Sequence, residues 1–90
     1  MTIFSISSSS QFKKDYKRAM KRNLDIGRLD IVIELLMQTC MLPAKYKTHP
    51  LKGNYRNFFE AHITPDWLII WHKQDNNITL VRTGSHSDLF

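Results

Sequence analysis

The sequence holds one cysteine, three glycines and three prolines in 90 residues, and each shortage excludes something. A lone Cys40 builds neither a disulfide framework nor a Cys-rich zinc site, so nothing points to an oxidising compartment and the cytoplasm is expected. No window reaches the roughly 18 apolar residues of a membrane span, and residues 1–11 lack the basic start and long apolar run of a signal peptide. No HExxH or Cys/His ligand spacing is present, which disfavours a zinc hydrolase. The absence of a GxSxG elbow, with Cys40 on an expected buried helix stripe, disfavours serine and cysteine nucleophiles. A chain of this length has material for one hydrophobic core and reads as one domain, residues 1–90.

Acidic residues are also scarce. Thirteen Lys and Arg against eight Asp and Glu give a net charge of +5, which favours a polyanionic partner: nucleic acid, an anionic membrane or an acidic protein segment. The excess is local. From Lys13 to Arg56 eleven basic residues stand against four acidic ones, whereas Asn57 to Phe90 has two basic and four acidic. That second segment instead carries His62, His72 and His86 and both tryptophans, Trp67 and Trp71. A binding half beside a proton-transferring half is one reading. Basic residues on the wet faces of helices, which strands favour less, is the plainer one.

The pattern predicts the order β-α-α-β-β-β, an α+β fold in which a helical hairpin covers one face of a small antiparallel sheet. Thr2 to Ser7 reads as a strand. Ser8 to Gln11 fits a capping box with Ser8 as N-cap. Phe12, Tyr16, Ala19 and Met20 then form one apolar stripe, with Lys13, Lys14, Lys17, Arg18 and Lys21 on the remaining surface. After a break at 23–25, a second helix carries Leu29, Val32, Ile33, Leu36 and Cys40. Ile31, Leu35 and Met37 widen its buried side, and Pro43 stops it. Pro43 to Asn54 has no period and reads as a loop of about a dozen residues, a length that tends to be functional or mobile. Tyr55–Ile63, Trp67–His72 and Ile78–Thr83 read as an antiparallel meander turning at Thr64–Trp67 and Asp75–Asn77. Alternation places Glu60 and His62 on one face of the first of these strands, and Trp67–His72, apolar on both faces, is central.

Metal-free RNA cleavage needs a base for the 2′-hydroxyl proton, an acid for the 5′-oxygen and a cation for the charge building on phosphate. His49, His62, Asp66, His86 and Arg82 can supply all three. A single strand histidine is more often a hydrogen-bonded structural residue, so the set carries this reading rather than any member. Arg82 at a strand end, Gly84 as a sharp exit and His86 just beyond deliver a fixed cation and a titratable ring close together. Phe90, an aromatic at the last position, suits either stacking on a nucleobase or packing back on the core.

His49-Pro50-Leu51-Lys52-Gly53, the run Ala61-His62-Ile63-Thr64-Pro65-Asp66-Trp67, and Arg82-Thr83-Gly84-Ser85-His86 with the closing Phe90 together resemble the YafQ branch of the RelE/ParE toxin superfamily, over nearly the whole chain. The resemblance implies a RelE-like fold and a ribosome-dependent mRNA endonuclease, the toxin of a bacterial type II toxin–antitoxin pair. It implies cleavage in the ribosomal A site with no metal or other cofactor, through attack of the 2′-hydroxyl on the adjacent phosphate. Position by position it assigns His49, His62, Asp66, Arg82, His86 and Phe90 to the active site, and Trp67 to packing. On that reading Asp66 or His62 takes the 2′-hydroxyl proton, His86 protonates the leaving oxygen and Arg82 steadies the phosphate. His49 orients the substrate, and Phe90 stacks on a base.

Lys45, Lys47 and Lys52, with the basic first helix, are expected to grip ribosomal RNA, mainly through its phosphates. Phe59 and Trp71 depart from the family pattern, where a polar or basic residue and a tyrosine are common; they leave the catalytic set intact and bear on substrate contacts. The expected partners are a cognate antitoxin laying an acidic or amphipathic segment over the basic surface or the cleft, mRNA and the ribosome, and no membrane. Two other readings remain open: a ParE-like gyrase-inhibiting toxin, which shares the fold and lacks the His, Asp and Arg set, and a non-catalytic RNA-binding module with structural histidines.

Overall fold

The computed structural model describes residues 4–51 and 57–89. Strands β1 (Ser5–Ser8), β2 (His49–Pro50), β3 (Phe58–Thr64), β4 (Trp67–Gln74) and β5 (Asn77–Gly84) form a five-stranded sheet in the order β1-β5-β4-β3-β2. Helices α1 (Ser10–Lys21) and α2 (Ile26–Thr39) pack on the face that carries Ala61, Ile69, Trp71, Ile78 and Leu80, and a short α3 (His86–Leu89) follows β5. The expected α+β order holds, with two changes. β1 joins β5 in parallel, Ser5 opposite Asn77 and Ser8 opposite Leu80, so the sheet is mixed rather than wholly antiparallel. The expected loop at 43–54 contains a 3-10 turn, Ala44–Tyr46, and then β2, an edge strand pairing His49 with Glu60; Pro50 is tolerated there because an edge needs no further donor.

Helix α1 begins one residue later than the capping box requires. Ser9 is the N-cap: its hydroxyl accepts from the Phe12 N–H at 2.9 Å and donates to the Val81 carbonyl at 2.8 Å, while Gln11 donates to Asp15 instead of reaching back. Phe12 and Ala19 are buried, but Met20, expected in the same stripe, is 55% exposed. The reason is Asp15, buried on the other flank of the stripe, which rotates the helix toward β5 and Met20 outward. In α2, Leu29, Val32 and Leu36 are fully buried, while Ile31 faces out, so the helix is buried along one stripe and not around two sides. It ends at Cys40, held in the left-handed conformation that glycine usually provides, with its N–H bonded to the Leu36 carbonyl.

β4 is buried on both faces from Trp67 to Trp71, as a central strand must be. Partly buried Phe59 stacks on buried Trp71, with ring centroids 5.8 Å apart, so both side chains contribute to packing. Trp67 is buried too, and its indole N–H donates to the Thr83 hydroxyl. The start of the expected strand at Tyr55–Arg56 lies outside the described residues.

Candidate active site

Two irregularities in the sheet build the site. Between β3 and β4 the register steps from His62 opposite Leu68 to Thr64 opposite Trp67, leaving Ile63 as an extra residue beside the two-residue turn Pro65–Asp66. Between β4 and β5 it steps from Trp71 opposite Leu80 to Ile70 opposite Arg82, leaving Val81 extra. A one-residue insertion reverses which face the following side chains take. Strict alternation would put Arg82 with Ile78 and Leu80 in the core. The Val81 bulge moves Arg82 to the face of Glu60 and His62, where Ile70 is its cross-strand neighbour, and the Ser9 hydroxyl anchors the bulged carbonyl.

On that face three imidazoles stand in a row. The His62 ring lies 6.3 Å from the His49 ring and 6.0 Å from the His86 ring, centroid to centroid. Two hydrogen bonds of about 3 Å span such a gap, so a single phosphate group placed there is within reach of both His62 and His86. His86 Nδ1 is 3.5 Å from Asp66 Oδ1, which ties the start of α3 to the turn after β3. His49 Nε2 is 3.1 Å from the carboxylate of Glu60, and its Nδ1 is 3.1 Å from the Lys47 carbonyl. Glu60, buried on the floor of this face, was not singled out by its own motif; the alternation that paired it with His62 was its only signal.

Arg82 is held from behind. Its Nε donates to Asp15 Oδ2 at 2.7 Å and its Nη2 lies 3.4 Å from Oδ1, and the same carboxylate accepts the Thr83 backbone N–H at 3.2 Å. β1 ends opposite Leu80, so α1 lies along the freed edge of β5 and Asp15 satisfies the strand donor that no neighbour takes. The hydrogen bond to Asp15 pushes the Arg82 pKa above its already high value, against a smaller desolvation effect, so Arg82 is a permanent cation. Asp15 was missed by sequence reading, because a charged residue in a basic amphipathic helix looks like surface.

Lys45 and Lys47 line a concavity of about 340 Å³ with His62, Ile63, Thr64 and Pro65. A second concavity, about 370 Å³, shares Lys45 and Ile63 and continues to Arg28 and Ile31. Of the expected site, therefore, His49, His62, Asp66 and His86 are in one contiguous row, Arg82 shares their sheet face, and Lys45 and Lys47 edge the groove. Phe90 and Lys52 lie outside the described residues. Cys40 stands away from this row, against Phe4, Phe59 and Trp71, and burial pushes its thiol pKa up, opposite to what a nucleophile needs.

Known proteins carry the same framework. Residues 4–90 match the family described as the bacterial toxin of type II toxin–antitoxin system, YafQ. The chain is 42% identical over 86 residues to the mRNA interferase toxin YafQ of Escherichia coli K12, covering 94% of each. Its fold is similar to that of YafQ in the E. coli DinJ–YafQ toxin–antitoxin complex, at 41% identity, 97% coverage of each chain and a TM-score of 0.91. It is also similar to YafQ from E. coli strain BL21(DE3), at 40% identity, covering 97% of this chain and 98% of that one, with a TM-score of 0.89. In sequence and in fold, the chain belongs to the YafQ family of toxins of bacterial type II toxin–antitoxin systems.

Proposed function

We propose that this toxin is an endoribonuclease that inhibits translation by cutting mRNA on the ribosome, through attack of the ribose 2′-hydroxyl on the neighbouring phosphate. The row His49–His62–His86, joined to Asp66, is the observation that carries the reading. Asp66 or His62 accepts the 2′-hydroxyl proton as the 2′-oxygen bonds to phosphorus. The bond from phosphorus to the 5′-oxygen breaks, and His86 donates a proton to that oxygen. Arg82, fixed by Asp15, stabilises the charge on the phosphate oxygens. The products are a 2′,3′-cyclic phosphate and a 5′-hydroxyl, and every proton is accounted for by the two side chains.

His49 is bonded through both ring nitrogens to Glu60 and to the Lys47 carbonyl, which suits orientation of substrate better than proton transfer. Phe90 stacks on a base in this reading, and Lys45, Lys47 and Lys52 contact RNA phosphates. The relative's complex with DinJ supports a cognate antitoxin as the silencing partner. Among the described residues no helix is long and apolar enough to cross a membrane, and a ribosome-directed activity places the protein in the cytoplasm.

The test is primer extension on a translated message, with and without ribosomes, comparing the wild type with His86→Ala. Cuts made by the wild type alone, and only with ribosomes, are expected. Intact mRNA beside inhibited DNA supercoiling would instead support the gyrase-directed reading.

A further inference from the structure

The Ser85-His86-Ser87-Asp88 segment forms a reciprocal capping box. The Asp88 carboxylate accepts the Ser85 backbone N–H at 2.9 Å, and the Ser85 hydroxyl lies 3.2 Å from the Asp88 backbone N–H. His86 is the first residue of α3 and sits between these two bonds. A four-residue helix has almost no stability of its own, so its place must be fixed from outside. α1 does this. Arg22 Nη1 is 2.8 Å from Asp88 Oδ2 and Arg18 Nη1 is 3.5 Å from Oδ1, while Gly84 leaves no side chain where a Cβ would come within 3.0 Å of the Asp88 Cβ. Arg18 and Arg22 continue the stripe of α1 that begins with Asp15, the residue holding Arg82.

We propose that Asp88, clamped by Arg22 and Arg18, is a positioning residue that sets the His86 ring against His62 and Asp66 for proton donation. This rests on the reading of His86 as the general acid. Asp88 touches no substrate in it; it acts through the capping box and the α1 clamp. Arg18 of α1 and Arg22 at its C-cap are thereby committed to the fold of the site rather than to RNA.

The test is a double-mutant cycle on single-turnover cleavage of mRNA on programmed ribosomes. Asp88→Ala is expected to lower the cleavage rate about tenfold at saturating ribosome, with the half-saturating concentration unchanged within twofold. Arg22→Ala, which spares the capping box, is expected to lower it about threefold. In the His86→Ala background, Asp88→Ala is expected to produce no further loss in the residual rate, whereas a purely structural role would lower both backgrounds by the same factor and overturn the proposal. Full activity of Asp88→Ala beside an impaired His86→Ala overturns it too. Full activity of His86→Ala overturns the acid assignment itself, and the two failures are therefore distinguishable. Circular dichroism and a melting curve on each variant separate a misplaced ring from an unfolded chain.

Discussion

The site has two walls made differently. The wall from β5 and α3 is tied to α1 by charges: buried Asp15 on Arg82 and Thr83, and Asp88 on Arg22, Arg18 and Ser85. The wall from β2, β3 and the Pro65–Asp66 turn is more open: the side chains of His49 and Asp66 are 50% and 78% exposed, and Asp66 meets His86, at the start of α3 and 56% exposed, at 3.5 Å. Exposed ion pairs of that kind contribute little to stability. On the proposed mechanism the cation that meets the phosphate is thus held in advance by Asp15, while the groups that exchange protons, Asp66 and His86, keep more than half of their side-chain surface in solvent. A static charge works best when fixed in advance, whereas a proton carrier must change partners during turnover.

Substitutions on the two walls should therefore separate activity from stability. Where the two walls meet, His86→Ala is expected to lower ribosome-dependent cleavage by about 10² to 10⁴ while changing the melting temperature little, because its ring is more than half exposed, read by cleavage kinetics and calorimetry on one preparation. On the anchored wall, Asp15→Ala is expected to destabilise the fold by roughly 2–3 kcal/mol, below the full range for breaking a buried pair because Arg82 is partly exposed, and to reduce cleavage as well. Denaturant unfolding measures the first and primer extension the second. A stable but inactive Asp15→Ala would erase the distinction between the walls. Glu60→Gln sits between them: it keeps an acceptor for His49 and removes the charge, and a rate loss of about tenfold is expected.

Smaller effects sharpen the picture. Ser9→Ala removes both the α1 cap and the anchor of the Val81 bulge, and a loss of about 1 kcal/mol in unfolding free energy is expected. The Arg22 guanidinium, helped by the Ser85 N–H, holds the Asp88 carboxyl well below the usual carboxylate range. A carboxylate depressed in the folded state stabilises it above the unfolded pKa and loses that contribution as pH falls through the folded value. The difference in melting temperature between wild type and Asp88→Asn is therefore expected to be steady above about pH 5 and to shrink below about pH 4. A difference that persists unchanged to pH 2 would remove Asp88 from the anchored wall.

Much of this was legible in the sequence because periodicity and motif spacing act locally. The stripe of Leu29, Val32 and Leu36 and the two-sided burial of β4 follow from patterns within a few residues; His49, His62 and His86 were grouped by their chemistry and by the family motifs, and only the fold sets them in a row. What was missed is non-local. The parallel docking of β1 depends on a crossover that no short window contains. The Val81 bulge is invisible to alternation and decides the face of Arg82. No local pattern marks Asp15 or Asp88, whose arginine partners lie 67 and 66 residues away in the chain. Met20 and Ile31 looked like core because the count of apolar residues on each helix exceeds what the sheet covers.

The central claim is that this pocket of imidazoles, a carboxylate and a guanidinium makes the substrate's own 2′-hydroxyl the nucleophile. Replacing the ribose at the cleaved position of a ribosome-bound message by 2′-deoxyribose tests that most directly. Cleavage should disappear at that position while the unmodified message yields a 2′,3′-cyclic phosphate and a 5′-hydroxyl. Undiminished cutting of the deoxy message, or a 5′-phosphate on the downstream fragment, would contradict the account.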